Sequence, residues 1–544
     1  MSQLTSVTES LLSRLPQRQA QRPVIVLKFG GTTVGATPEQ GRIKLARRFI
    51  ADCLERRYFV VPVFSAYRRG RSGSQDKVSI TDRLQSYAQI IRSAGDFEQG
   101  VRNFHALLLE PHLGLLRDLK MDDDTSLASE LRAEIDHLTE TAALCCRARE
   151  AIPSLDAVLV TGGERLATRI LAAYFDRLYK AGAFPWPAAR VTAVELGLYT
   201  DDQFQNASIE WESAIENARE VLLGKYLEQG ILPIVTGFDG IYDPDRVFQR
   251  VMRQDELSGP DSRYTGAYRT ALGRGGSDLT ATFLGLALAA EFVGFAKETA
   301  GVLTGDDLLV GDTARTIPQL DYELATEAGN IYPKAVEPVR MGNIPVHIFD
   351  PRTPEKFTAI TNANLSDGLF LISPPSLAMN IHVASVANEP GSLVRLLQHF
   401  SRLDLDVAEV RHHRSGTDVI VEAPEEDVRE AVEALDAAGY HPTPTHIWYV
   451  RVVGNITPQL AMDFNRFVED LHPHSTACYQ AGTRALTVSL MRNRVGTEQR
   501  ESERIRGIVK RIHDELVVPS LGALVQTLAP GMVPRDPEPR DERA

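Results

Sequence analysis

The chain has 544 residues, 43% of them hydrophobic and 24% charged, with a formal net charge of −13. Such a length exceeds a single hydrophobic core and predicts about two to four domains, and the composition is that of a folded globular protein, which excludes an intrinsically disordered class. The acidic excess disfavours a polyanionic partner, so no nucleic acid is expected, although a local basic pocket for one nucleotide is compatible with it.

Residues 1–22 are rich in Ser, Thr, Gln and Arg and have no apolar stretch, which predicts no secretory leader and favours a flexible N-terminal extension over the alternative of a short organelle transit peptide. Val24 to Val34 then reads V-I-V-L-K-F-G-G-T-T-V. A mostly β-branched run that breaks into glycines predicts a buried parallel strand ending in a tight loop. There Gly30 and Gly31 let backbone N–H groups approach phosphate oxygens, and Lys28 adds a positive charge; an ordinary turn with an outward lysine is the plainer alternative. The spacings of the dinucleotide fingerprint and of the P-loop are both absent. Ile43, Ala46, Ile50, Cys53 and Leu54 share one face of a predicted helix, and Phe59 to Phe64 is the next strand. Ligands in open α/β sheets gather at the carboxyl ends of strands, so Ser65 and, further on, Thr81 fall near the same rim.

Residues 83–150 read as a helical subdomain, and the run Asp122, Asp123, Asp124 before Thr125 is a solvated helix start. Ala157 to Val160 reads as another strand, breaking into Thr161, Gly162, Gly163 and Glu164 at the head of a helix. Glu164 is explained either by the helix dipole or by a substrate ammonium that it receives. Ile231 to Val235 leads into Thr236, Gly237, Phe238, Asp239 and Gly240, a further strand-to-glycine transition. At Thr270 to Asp278 the chain reads T-A-L-G-R-G-G-S-D. Three glycines around Arg274 are costly in backbone entropy, and a closely approaching ligand explains them better than a turn does. The Arg274 fork suits a carboxylate or phosphate, and the helix start at Ser277 and Asp278 suits an anion.

Beyond Pro374 and Pro375, alternating Leu377, Met379, Ile381 and Val383 begin a strand, helix, strand, strand, helix series that ends near residue 438, and the same order recurs over 447–516. His412 and His413 would face opposite sides of a strand, which argues against a metal. Cys53, Cys145, Cys146 and Cys478 include no C-x-x-C pair, so no metal centre or disulfide framework is expected, and a cytoplasmic setting fits. No run of 18 apolar residues occurs, so no membrane association is expected.

Taken together, K-F-G-G-T-T-V, F-S-A, I-T-D-R-L, V-T-G-G-E-R-L, Y-T-D-D, V-T-G-F, L-G-R-G-G-S-D-L-T-A and A-G-N-I-Y-P-K-A-V-E-P, in that order, resemble aspartate kinases of the amino acid kinase family. The C-terminal repeat resembles paired ACT domains. The resemblance implies an α/β fold, a three-layer α/β/α sandwich with a mainly parallel sheet over residues 23–365, followed by two ferredoxin-like βαββαβ modules at 376–443 and 444–530 and a flexible tail at 531–544. It implies ATP and Mg²⁺ as cofactors, L-aspartate as acceptor, an amino-acid effector at the ACT modules, and a homo-oligomer, dimer or tetramer. Lys28, Arg274 and Asp278 become the catalytic set, with Asp278 orienting Lys28. Glu164, Arg274, Thr81, Ser65 and Ser277 take the amino acid. Lys28, Gly30, Gly31, Thr32, Glu298, Gly301, Thr304, Asp306 and Lys334 take the nucleotide.

The chain departs from the family on the nucleotide side. Lys297-Glu298-Thr299 stands where T-D-V is usual, Asp306-Asp307-Leu308 replaces D-P-R, and the lysine of G-A-K-x-x-x-P falls at Gly329, leaving Lys334 or Lys297 to compensate. The first module carries Val410, Arg411, His412 and His413 in place of T-T-S-E. A sibling kinase for another amino-acid carboxylate and a catalytically silent amino-acid sensor remain alternative readings.

Overall fold

The computed structural model describes residues 22–34, 42–67, 80–148, 152–244, 268–384, 391–403, 405, 407–413, 416–423, 425–471, 475–479, 484–491 and 498–527. The expected N-terminal extension, Arg22 apart, and the C-terminal tail lie outside the described residues, as does the Thr32 side chain. The described chain forms two compact units: the first runs to Gly301 and resumes over Gln319–Ala363, and the second comprises Val302–Pro318 and the chain from Asn364 on.

In the first unit, β1 (Val24–Phe29) is followed by α1 (Arg42–Glu55) and β2 (Phe59–Phe64), and the two strands pair in parallel. Helices α2 (Phe97–Asp118) and α3 (Thr125–Ala148) come next, so the stretch read as helical is helical, and its Phe104, Leu108, Leu131 and Ile135 share one core with Ile25, Leu27 and Phe29 of β1. The apolar run at Ala157–Val160 is not a strand: α4 (Pro153–Val160) precedes α5 (Gly162–Lys180) with only Thr161 between them. Four apolar residues do not distinguish strand from buried helix by period, and Pro153 at the first helical position is the signal that settles it.

The unit continues through β3 (Ala188–Val191), β4 (Leu232–Thr236), a hairpin of β5 (Asp239–Tyr242) and β6 (Tyr268–Ala271), and α6 (Gly276–Leu288). It closes with β7 (Phe292–Ala296), β8 (Gln319–Asp321), α7 (Pro333–Gly342), β9 (Val346–Phe349) and β10 (Phe357–Thr361). Eight strands form one sheet in the order β3-β4-β2-β1-β7-β9-β10-β8, parallel everywhere except between β9 and β10. Alternation along β1 sends Ile25, Leu27 and Phe29 to the core face with α1 and α5 and leaves Lys28 on the other.

The second unit is built from β11 (Gly368–Ile372), β12 (Ser376–Val383), α8 (Ser392–Arg402), β13 (Val407–His413), β14 (Gly416–Val421), α9 (Glu425–Ala437) and β15 (Pro442–Asn455). It ends with α10 (Pro458–Leu471), β16 (Ser475–Tyr479), β17 (Ala485–Met491), α11 (Glu498–Ile512) and α12 (Val518–Thr527). The strands are antiparallel in the order β13-β14-β12-β15-β17-β16, with β11 added to β15. Ile381, Val383, Val419 and Val421 form one core with Leu396 and Phe400 of α8 and Val428 and Leu435 of α9, and Val450, Val452, Val488 and Leu490 form another with Phe464 of α10 and Ile505 of α11. Two features are not visible in the repeat itself. β15 is one strand that pairs with β12 along Pro442–Tyr449 and with β17 along Ile447–Val453, and β11, which precedes both repeats, joins the second.

Candidate active site

At the carboxyl end of β1, Lys28 Nζ lies 2.7 Å from Asp278 Oδ1, the two side chains being 18% and 15% exposed. Asp278 stands in the first turn of α6, where the helix dipole favours a carboxylate. The glycines ahead of it also have a cause inside the protein. Gly273 and Gly275 adopt φ of +76° and +74°, and a Cβ would fall 2.2 Å from Asn206 Oδ1 at the first and 2.3 Å from the Tyr332 ring at the second. The protein's own packing therefore requires them. At Gly30, by contrast, no atom of the described residues lies within 4 Å of where a Cβ would be.

A second lysine stands beside this pair. β7 pairs with β1 so that Ala296 faces Phe29, and Lys297 and Gly30 are the residues that follow each strand. The Lys297 N–H donates to the Phe349 carbonyl at 2.8 Å, and its half-buried Nζ donates to the Asn330 carbonyl at 2.8 Å. Burial pushes the Lys297 pKa down, Asp278 pulls it up and Lys28 pushes it down, so the three charges lie within electrostatic reach of one another.

Glu164, in the first turn of α5, is only 4% exposed. Burial raises its pKa to about 8, against the backbone N–H groups of Glu164 and Ala66, which favour the ionised form; Asp239 adds to the rise and Lys28 opposes it. Its Oε2 is buried with no hydrogen-bond partner among the described residues. The preorganised acceptor is thus short of a donor, as a group awaiting an ammonium would be. Nearby charges missing from the sequence-based site complete the surroundings. Asp239, fully buried at the head of β5, lies 2.8 Å from Arg269 Nη1, and burial raises its carboxyl. Arg165 sits 3.3 Å from Glu134, and burial lowers both Arg165 and Arg190. The signal for them was weak: Arg190 and Asp239 are charges in otherwise apolar strand segments, and Arg165 lies on the buried side of a helix.

Ser65 is half-buried directly after β2, its N–H bonded to the Phe29 carbonyl at 3.1 Å, which ties the two strand ends together. Thr81 is half-buried in a short helix, Ile80–Gln85, whose Ile80 packs against Gly163 ahead of Glu164. Ser277 is buried against Gly237, where a Cβ would come within 2.9 Å of its own. Arg274 is exposed in the turn before α6. The Glu298 carbonyl accepts from Arg352 at 2.9 Å, and Gly301 has φ of +87°. Lys334 is exposed and donates to the Asn206 carbonyl at 3.3 Å. Gly329, where the resemblance would put a lysine, has φ of +68°, a conformation in which a side chain is strained. Thr304 and Asp306 belong to the second unit. There the buried Thr304 hydroxyl bonds His513 Nε2 at 2.8 Å and accepts from Arg315 N–H at 3.1 Å, while Asp306 caps a short helix by accepting from Leu308 N–H at 2.8 Å. Among the described residues no group of three or more His, Cys, Asp or Glu side chains could hold a metal ion, and no helix is long and apolar enough to cross a membrane.

The family model described as "Amino acid kinase family" matches residues 23–350. The chain belongs to that family. Among curated proteins it is similar to "Aspartokinase 3, chloroplastic" of Arabidopsis thaliana, 29% identical over 261 residues that cover 46% of this chain and 41% of the relative. It is also similar to "Aspartokinase 1, chloroplastic" of the same plant, 27% identical over 314 residues, 56% of this chain and 49% of the relative. The chain thus spans about half the length of the curated relatives it matches. Among solved structures, E. coli aspartokinase III in complex with lysine and aspartate aligns over 91% of this chain and 99% of its own, with a TM-score of 0.64 and 20% identity. The same enzyme with aspartate and ADP gives 0.61 at 19% identity. At those identities the likeness establishes the fold of this family member, parallel sheet and antiparallel modules together.

Proposed function

We propose that the chain is an aspartate kinase, which transfers the γ-phosphoryl group of ATP to the side-chain carboxylate of L-aspartate and yields 4-phospho-L-aspartate. The observation that carries this reading is the juxtaposition of an ion-paired lysine, Lys28 with Asp278, and a buried carboxylate, Glu164, with an unpartnered oxygen. The first suits a transferring phosphate and the second an amino-acid ammonium. The names of the similar plant and bacterial proteins support the same substrate.

A free carboxylate has a pKa of about 4, so the acceptor is ionised at neutral pH and needs no general base. Its oxygen bonds the γ-phosphorus as the bond to the β–γ bridging oxygen breaks, and ADP leaves with that electron pair. Catalysis then rests on positioning and charge neutralisation. Lys28 neutralises the moving phosphoryl group, held in place by Asp278, while Gly30, Gly31 and Ser65 supply donors. Arg274 takes the α-carboxylate, Glu164 the α-ammonium, and Thr81 and Ser277 line the same end. Glu298 and Gly301 serve the nucleotide, with Thr32 beside Gly31; Thr304 and Asp306 already hold structural partners. Mg²⁺ would neutralise phosphate charge. Such an ion would arrive on the nucleotide and keep most of its water.

On this reading residues 23–365 are catalytic, while 376–443 and 444–530 are ACT-like regulatory modules for an amino-acid effector. E. coli aspartokinase III, with its bound lysine, supports that regulatory role. A cytoplasmic homo-oligomer, dimer or tetramer, completes the proposal. Hydroxamate formation tests it directly, with purified protein, Mg-ATP, hydroxylamine and either L-aspartate, L-glutamate or N-acetylglutamate. A signal with aspartate alone is expected. A signal with another acid alone would make this a sibling kinase, and none with any acid, in a folded protein that binds an amino acid, would make it a sensor.

A further inference from the structure

We infer that Lys297 is a second phosphate-binding cation of this site, supplied by the end of β7 where the family resemblance would have placed a lysine at Gly329. The inference rests on the reading of the site as nucleotide-binding, and three observations carry it.

The first is position. The β1–β7 register ends on Phe29 opposite Ala296, so Gly30 and Lys297 are the next residues of the two chains at the rim that carries Lys28, and no atom of the described residues lies within 4 Å of the Gly30 Cβ position. The second is charge. Lys28 already occupies Asp278 at 2.7 Å, so two lysines share one carboxylate. Among the described residues no carboxylate comes within ion-pair distance of Lys297, and its hydrogen bond goes to a neutral carbonyl, that of Asn330. A half-buried ammonium in that position is held against both desolvation and a neighbouring like charge, and a polyanion between the two lysines relieves both. The third is the loss of the alternatives. Gly329 has a left-handed backbone that disfavours any side chain, and Lys334 is exposed and engaged with Asn206. The cation absent from the start of α7 is thus replaced on the neighbouring strand.

The plainer role for Lys297 is a staple that holds the Asn330 carbonyl. Lys297→Gln separates the two, because the amide can still donate to that carbonyl but carries no charge. Lys297→Met removes both. Calorimetric binding of Mg-ADP, melting with and without Mg-ADP, and the hydroxamate rate with aspartate are measured on the full chain. We expect the Gln variant to melt as the wild type does without nucleotide and to bind Mg-ADP about 100-fold more weakly, the size expected for losing one charge-assisted contact. A Gln variant that binds Mg-ADP like the wild type overturns the inference, whatever the Met variant does. Lys297-dependent Mg-ADP binding without any hydroxamate sustains the inference while the aspartate kinase reading falls. Hydroxamate formation undiminished in the Gln variant does the reverse. A wild-type protein that neither binds Mg-ADP nor forms hydroxamate ends both.

Discussion

The carboxyl ends of β1 and β7 are neighbours in one sheet, and each presents a lysine in a different electrostatic state. At the β1 end, Lys28 is neutralised by Asp278 across 2.7 Å, so its position is set before any ligand arrives. At the β7 end, Lys297 holds, among the described residues, a backbone carbonyl and no carboxylate, in a setting where burial and Lys28 both disfavour its charge. A cation paired within the protein has its position set by its partner, whereas one bonded to a neutral carbonyl keeps its charge uncompensated. The difference also separates stability from binding. Removing Lys28 strands a carboxylate, but removing Lys297 relieves a repulsion.

The largest effect expected from breaking that contrast is at the paired end. Lys28→Ala should lower the hydroxamate rate by about 10³-fold, the scale of losing one preorganised electrostatic contact to a transition state. A rate within tenfold of wild type would remove Lys28 from the phosphoryl path. The glycines sharpen the same comparison. Gly275→Ala must fit a Cβ 2.3 Å from the Tyr332 ring with φ at +74°, and should cost about 2–3 kcal/mol of stability in denaturant unfolding. Gly30→Ala, with no atom of the described residues within 4 Å, should leave the unfolding midpoint in place and weaken Mg-ADP binding instead.

A smaller, pH-dependent effect belongs to Glu164. Its pKa of about 8 exceeds the ordinary 4.5, so the folded protein holds a proton that the unfolded chain releases between those values. Stability from this group is therefore full below about pH 4.5 and is lost as pH rises through 8. Binding has the opposite sign, because an ammonium needs the carboxylate. Aspartate affinity should rise up to about tenfold per pH unit below 8 and level off above it, and Glu164→Gln should flatten both profiles. An unchanged pH profile of aspartate binding in the Gln variant would exclude Glu164 as the ammonium acceptor. The smallest effect is expected at Thr304→Val, which should cost about 1 kcal/mol through the lost contact to His513 and leave Mg-ADP affinity as it was. A nucleotide affinity that falls while stability holds would return Thr304 to the nucleotide side.

Legibility tracks the range over which each feature is encoded. The β1 strand, the helix opening at Ser277 and Asp278, and the repeated strand and helix order after residue 376 are written in consecutive residues, and each is readable there, whereas the loop expected after β1 is a short helical turn, Gly31–Val34. Ala157–Val160 reads wrongly as a strand because four apolar residues carry no period. Gly273 and Gly275 stand out in the sequence, but the atoms that exclude a side chain there belong to Asn206 and Tyr332, far away in the chain. Thr304 reads from its motif as a nucleotide contact, but its partner, His513, is 209 residues away.

By itself the sequence determined the family, the strand and helix ends that carry Lys28, Glu164 and Asp278, and the C-terminal repeat, because backbone periodicity and glycine loops are properties of neighbouring residues. Only the tertiary structure decided which charges meet. It paired Lys28 with Asp278, left Lys297 with a carbonyl and buried Glu164 within reach of Asp239, since sheet register and burial set the distance and the dielectric that fix a charge's partner and its pKa.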